Sequence, residues 1–171
     1  LFEIPKNKII VTIILGGENN HYFFNNEIFL NFLEKIYNLN VGDKKYYFLF
    51  ICSRRTNNDF IKIINEKFKN NCFVWDKKST NPYLYSLKLA DFIVVTSDST
   101  SMISEASITE KPVYVFHLPF KRKSKRFEYF HKEFEQKGIT RPFIDILYSW
   151  SYKSLNESER IAGILNTKIL R

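Results

Sequence analysis

The chain has 171 residues, 44% hydrophobic and 26% charged, with a formal net charge of +8. This is a globular composition, long enough for one domain with a sizeable core, and no apolar run approaches the ~18 residues that span a membrane. The positive charge admits phosphates, nucleic acid or an acidic membrane surface as partners.

In chain order, Lys8–Leu15 (KIIVTIIL) is a continuous β-branched run, as expected of a strand buried on both faces, and Gly16-Gly17 ends it. Phe29, Phe32, Leu33 and Ile36 then fall at helical spacing. Tyr46–Ile51 reads as a second strand. Thr56 is placed to cap a helix whose apolar face is Phe60, Ile61, Ile64 and Phe68. Cys72–Trp75 is a short third strand. Asn81-Pro82 opens a helix, with Leu84, Leu87 and the stem of Lys88 expected to face inward. Phe92–Thr96 is a strand, Ser99–Thr109 a helix and Val113–Phe116 another strand. Phe127, Phe130 and Phe134 line one face of the next helix, which Gly138 can terminate. Ile139–Tyr152 has no periodicity and is expected to pack as an ordered loop. Asn156-x-x-Glu159 opens a last helix with Ile161, Ile164, Leu165 and Lys168 in register.

Short apolar strands alternating with amphipathic helices predict an α/β fold. It is a Rossmann-like three-layer sandwich on a parallel sheet of about five or six strands. No linker or internal repeat interrupts residues 1–171, so a single domain is expected. The chain opens on Leu1 rather than Met, which suggests a fragment with a further domain upstream. Cys52 and Cys72 sit in apolar runs without a CxxC or Cys/His spacing, and read as two buried thiols in a reducing, cytoplasmic setting. No metal or cofactor is called for.

The segment with most chemistry is Asp91–Pro119, which reads strand, hydroxyl-rich turn, helix, strand. Ser97, Asp98, Ser99, Thr100 and Ser101 follow the strand and open the helix, with Met102 in its first turn. Unpaired N–H groups at a helix start attract phosphate, and short hydroxyls add donors without blocking approach. Glu105, one to two turns on, can accept two hydrogen bonds from a ribose diol. The bland alternative is ordinary helix capping with a surface glutamate. Gly16 and Gly17 lie at the same sheet edge, where glycine lets a ligand approach the backbone. The pattern is neither GxGxxG nor a Walker loop. His21 follows in that loop. Arg54 and Arg55, after the second strand, could pair with phosphates or remain solvated. Trp75 could stack on a base or pack at the rim. Lys121–Arg126 holds five cations in six residues, suited to an anionic surface. It lacks interleaved aromatics and any nucleic-acid-module motif, so nucleic acid is a weak expectation.

Several of these stretches together resemble the elongated-mitochondria (mitochondrial fission) family. They are Gly16-Gly17 with His21-Tyr22, Ser53–Thr56, Phe73–Asp76, Asn81–Tyr83, Ala90–Pro119, Gly138–Phe143 and Trp150–Tyr152. The resemblance touches most of the chain, keeps motif order and corresponds to the family's C-terminal half. More distantly, Ser99–Pro119 is similar to the donor-binding domain of GT-B glycosyltransferases and sugar 2-epimerases. That resemblance implies a nucleotide-sugar such as a UDP-sugar as partner, with Gly16, Gly17, Ser99, Thr100 and Ser101 at phosphate and Glu105 at ribose. Thr100 replaces a glycine of that family's turn. It also implies that catalysis needs the chain's own N-terminal domain. The alternative function is a non-catalytic module, peripheral to an anionic membrane.

Overall fold

The computed structural model describes residues 3–41 and 45–155. Six strands form a single parallel sheet: β1 (Ile9–Leu15), β2 (Tyr46–Cys52), β3 (Cys72–Trp75), β4 (Phe92–Thr96), β5 (Val113–Phe116) and β6 (Thr140–Pro142). Their spatial order is β3-β2-β1-β4-β5-β6. The register pairs Ile13 with Phe50 on one side and with Val94 on the other. The central strands are buried on both faces, which is why they read as unbroken apolar runs.

Among the described residues five α-helices cover the sheet: α1 (Asn26–Asn38), α2 (Asn58–Phe68), α3 (Tyr83–Leu89), α4 (Thr100–Ser107) and α5 (Lys125–Gln136). One face is an aromatic core. Phe29, Phe32, Leu33 and Ile36 of α1 and Phe60, Ile64 and Phe68 of α2 pack on Phe48 and Phe50. The rings of Phe29 and Phe60 stack 3.8 Å apart. Each ring taken from water contributes on the order of 2 kcal/mol. The other face is aliphatic: Leu87, Ile103 and Ala106 of α3 and α4, with Phe134 of α5, pack on Ile14, Ile93, Val95 and Val115.

Several local expectations change. The α2 cap is Asn57, whose side chain accepts from Asp59 N. Thr56 instead turns its hydroxyl back onto the carbonyls of Leu15 and Gly16, at 2.8 and 2.7 Å. In α3 the inward residues are Ser86 and Leu87, because Thr12 Oγ1 donates to the Ser86 carbonyl and draws that side onto the sheet. Leu84 is 77% exposed and Lys88 is exposed. Cys52 is buried, but Cys72 is only half-buried because β3 is a short edge strand. Part of Ile139–Tyr152 is the edge strand β6, paired with β5. At the end of α5, Gly138 takes a φ of +67° as expected of a helix stop. The last helix expected from Asn156 onward lies outside the described residues.

Candidate functional site

β1 and β4 are neighbours, yet the chain leaves β1 towards β2 and leaves β4 towards β5. Their following loops diverge, and the crevice between them at the carboxyl edge is where open α/β sheets hold ligands. Three loops meet there: Gly16–Asn25 after β1, Ser53–Asn57 after β2, and Ser97–Ser99 after β4.

The centre of this edge is the carboxylate of Asp98, whose side chain is 0% exposed. Its Oδ2 accepts from Arg55 Nη2 at 2.6 Å and from Gly17 N at 3.1 Å, and its Oδ1 accepts from Thr96 Oγ1 at 2.7 Å. Thr96 Oγ1 in turn accepts from Gly16 N at 2.8 Å. Asn19 ties in from its own loop, donating to the Asp98 carbonyl at 3.3 Å while its Oδ1 accepts from the amides of His21 and Tyr22. The two glycines are required by this packing. A Cβ on Gly16 would lie 2.0 Å from Asp98 Oδ1, and one on Gly17 would lie 2.2 Å from the Arg55 carbonyl oxygen. Here the close approach that glycine permits is taken up by the chain's own carboxylate and backbone.

On the α3–α4 side of the sheet the same edge opens into a cleft of about 370 Å³ lined by Arg54, Trp75, Asn81, Tyr83, Met102 and Glu105, among others. Arg54 and Glu105 are exposed. Neither makes an ion pair among the described residues. Asn81 caps the turn into α3 by accepting from Tyr83 N at 3.0 Å, which sets the Tyr83 ring into the wall. The Tyr83 hydroxyl is shut off from solvent beside the Glu105 carboxylate, within reach of it but without a hydrogen bond of good geometry. Burial, and then the nearby Glu105 carboxylate, push its ionisation far above the ordinary tyrosine range. Ser99 caps α4, accepting from Met102 N at 3.4 Å, and Thr100 and Ser101 form the helix's first turn.

His21 points elsewhere. Its Nδ1 is 3.3 Å from the Arg122 carbonyl and its ring lies against Phe127. This end of the first loop is zipped to the loop after β5: Tyr22 and Phe120 form an antiparallel bridge, and Lys121 Nζ pairs with Glu18. That pair occupies one cation of the basic run, while Arg122, Lys123, Lys125 and Arg126 are exposed. Behind the zip, His131 of α5 is buried, with Nε2 3.2 Å from the Ser97 carbonyl and 3.3 Å from the Tyr22 hydroxyl. Burial, and then the neighbouring His117, hold its pKa down to about 4. The Ser97 hydroxyl accepts from Leu118 N at 2.9 Å.

The predicted site residues therefore separate. Gly16, Gly17, Ser97 and Asp98 belong to an internally bonded frame, which Arg55 joins through one guanidinium N–H while its side chain stays 46% exposed. Arg54, Met102 and Glu105 line the open cleft, Ser99, Thr100 and Ser101 open the helix that carries Met102 and Glu105, and His21 lies apart. Sequence reasoning missed Thr96, Asn19 and Tyr83. The signal for Tyr83 was its place just after the Asn81-Pro82 helix start, which fixes it at the sheet edge. Among the described residues no group of three or more His, Cys, Asp or Glu side chains could hold a metal ion. No described helix is long and apolar enough to cross a membrane.

A protein-family model described as mitochondrial fission ELM1 matches residues 3–169. An uncharacterized protein of Rickettsia prowazekii (strain Madrid E) is 35% identical over 171 residues, covering 94% of this chain and 47% of its own length. The mitochondrial fission protein ELM1 of Arabidopsis thaliana is 38% identical over 96 residues, which is 53% of this chain and 21% of that protein. The chain thus spans half or less of the curated relatives it matches. Among solved structures, the UDP-GlcNAc 2-epimerase of Methanocaldococcus jannaschii superposes with a TM-score of 0.57 at 19% identity, over 96% of this chain and 47% of that one. The glycotransferase of kitacinnamycin gives 0.55 at 14% identity, over 86% and 33%. At such identities the likeness carries the fold alone, a Rossmann-like α/β sandwich of the kind found in GT-B proteins. With nearly its whole length matched by the family model, the chain belongs to the mitochondrial fission ELM1 family.

Proposed function

We propose that the cleft between Arg54, Trp75, Tyr83 and Glu105 binds the nucleoside diphosphate part of a nucleotide-sugar. The observation that carries this reading is the division of the sheet edge. On one side the Asp98 carboxylate and the Gly16 and Gly17 amides are consumed internally; on the other, a carboxylate and a guanidinium face an open cavity without ion-pair partners among the described residues. Its volume of about 370 Å³ suits a nucleoside, since ligand sites begin near ~300 Å³. Glu105 supplies two acceptors for a ribose diol. The amides and hydroxyls of Ser99, Thr100 and Ser101 at the start of α4 face the diphosphate, with Arg54 as its counter-charge. Trp75 offers an apolar flank for the base. Asp98 already fills the cradle at Gly16 and Gly17, so we assign phosphate to the α4 side of that carboxylate. Some fold neighbours are epimerases whose structures hold UDP-GlcNAc and UDP, which makes a UDP-sugar the first ligand to try. The chemical step, if the whole protein performs one, is assigned to the remainder of that longer protein.

The test is thermal stabilisation of the chain by UDP and UDP-GlcNAc. Both are expected to raise Tm, and Glu105→Ala to abolish the shift. Absence of stabilisation by any nucleoside diphosphate at millimolar concentration would sink the proposal.

A further inference from the structure

We propose that Tyr83 is a positioning residue: its hydroxyl, enclosed behind Glu105, donates to the Glu105 carboxylate and fixes it as a ribose-reading edge. This rests on the nucleotide-binding reading of the cleft and adds the part that selects a ribonucleotide over a 2′-deoxyribonucleotide.

The argument begins from an unsatisfied donor. Buried hydroxyls in folded proteins nearly always find a partner, and one left alone signals a partner that arrives with a change of state. Tyr83 has the one buried side-chain polar atom among the described residues without a hydrogen bond of good geometry. It lines the same cleft as Glu105, close enough for that carboxylate to oppose its ionisation. The tyrosine cannot turn away to find water. Its main chain is held by Asn81 and its ring is packed against the second core cluster. Glu105 can move, because it is exposed and carries no ion pair among the described residues. The adjustment that satisfies the donor is therefore a small rotation of Glu105 onto Tyr83 as ligand enters the cleft. One carboxylate oxygen then receives the phenol, and the remaining lone pairs face the cavity. A vicinal diol presents two O–H donors. Clamped from behind as the sugar binds, the carboxylate meets both hydroxyls in a single orientation. Removing one sugar hydroxyl leaves a lone pair of that clamped carboxylate unmatched, so the clamp converts into selectivity.

The experiment measures the affinities of the chain for UDP and 2′-deoxy-UDP by titration calorimetry, in the wild type, Tyr83→Phe, Glu105→Gln and the double variant. The wild type is expected to prefer UDP by about tenfold, the scale of one hydrogen bond to a charged group. Tyr83→Phe should bring that preference to within about twofold, and should have no further effect once Glu105→Gln is present. A merely structural role for Tyr83 would weaken both nucleotides equally and leave their ratio unchanged; that result overturns the inference while the cleft keeps its nucleotide. Full wild-type preference in Tyr83→Phe overturns it in the same way. Binding of neither nucleotide by the wild type overturns the nucleotide reading, and the clamp with it.

Discussion

Asp98 and Glu105 stand on the same strand–helix unit at one edge of the sheet, yet their carboxylates have opposite surroundings. Asp98 is fully enclosed and meets donors from Arg55, Gly17 and Thr96, which come from three different loops or strands. Glu105 is exposed beside a cavity, with an unsatisfied phenol behind it. A buried carboxylate is tolerated only when its lone pairs are met. Asp98 is therefore part of the scaffold, and its partners are held by it rather than kept free for a ligand. Glu105 is exposed and makes no ion pair among the described residues. Residues of one chemical type thus divide into frame and site according to whether the chain has already used them.

The sharpest way to break this division is Asp98→Ala. It leaves the Gly17 amide and one bond of Thr96 unmet and frees the Arg55 guanidinium, which water can partly rehydrate because that side chain is 46% exposed. Breaking a fully buried ion pair costs up to ~5 kcal/mol; with half the pair at the surface the expected loss is about 3 kcal/mol. Urea unfolding with an unchanged m-value reads it. A loss under about 0.5 kcal/mol, the range of ordinary surface substitutions, would mean that Asp98 is not the centre of the frame.

The next effect in size is pH dependence through His131, which backs the same frame from α5. Its folded pKa is near 4, against an ordinary value of 6.5. Between those limits the unfolded chain binds a proton that the folded chain refuses, so stability falls as pH falls. The contribution is complete above about pH 7, and the slope ends once both states are protonated below about pH 4. The expected loss between pH 7.5 and pH 5 is about 2 kcal/mol. His117, its pairing partner Glu135, and Glu128 face the same cavity. Subtracting the His131→Gln profile from that of the wild type isolates the His131 component. A variant that keeps the full slope assigns it to those neighbours.

The division between frame and site was legible only in part from the sequence. Strands β1, β2, β4 and β5 announce themselves because burial on both faces demands unbroken apolar runs. β6 does not, since three residues on a sheet edge carry no period. Thr56 and Asn57 stand side by side as caps, and the choice between them is made by the carbonyls of Leu15 and Gly16, about forty residues earlier. Asp98 reads as one more polar residue in a hydroxyl-rich turn, because its partners Gly17 and Arg55 lie 81 and 43 residues away. The motifs did bring the right loops to one edge. Which of their polar groups remained open was decided by contacts between segments far apart in the chain.

The smallest expected effect separates the two regions most cleanly. Tyr83→Phe removes a hydroxyl that is enclosed and unpaired in the unliganded fold. Removing a polar group with a good partner destabilises; removing one that has lost its hydration without gaining a bond relieves a cost. The phenyl ring keeps its contacts with the aliphatic core cluster, so no cavity offsets the gain. The unliganded variant should therefore be as stable as the wild type or more stable by about 0.5 kcal/mol, measured as a urea midpoint in the absence of nucleotide. Asp98→Ala and Tyr83→Phe each delete polar atoms at the same sheet edge, and the two are expected to move stability in opposite directions. A loss above about 1 kcal/mol for Tyr83→Phe would place its hydroxyl in a bond formed without ligand, and Tyr83 would then belong with Asp98 in the frame.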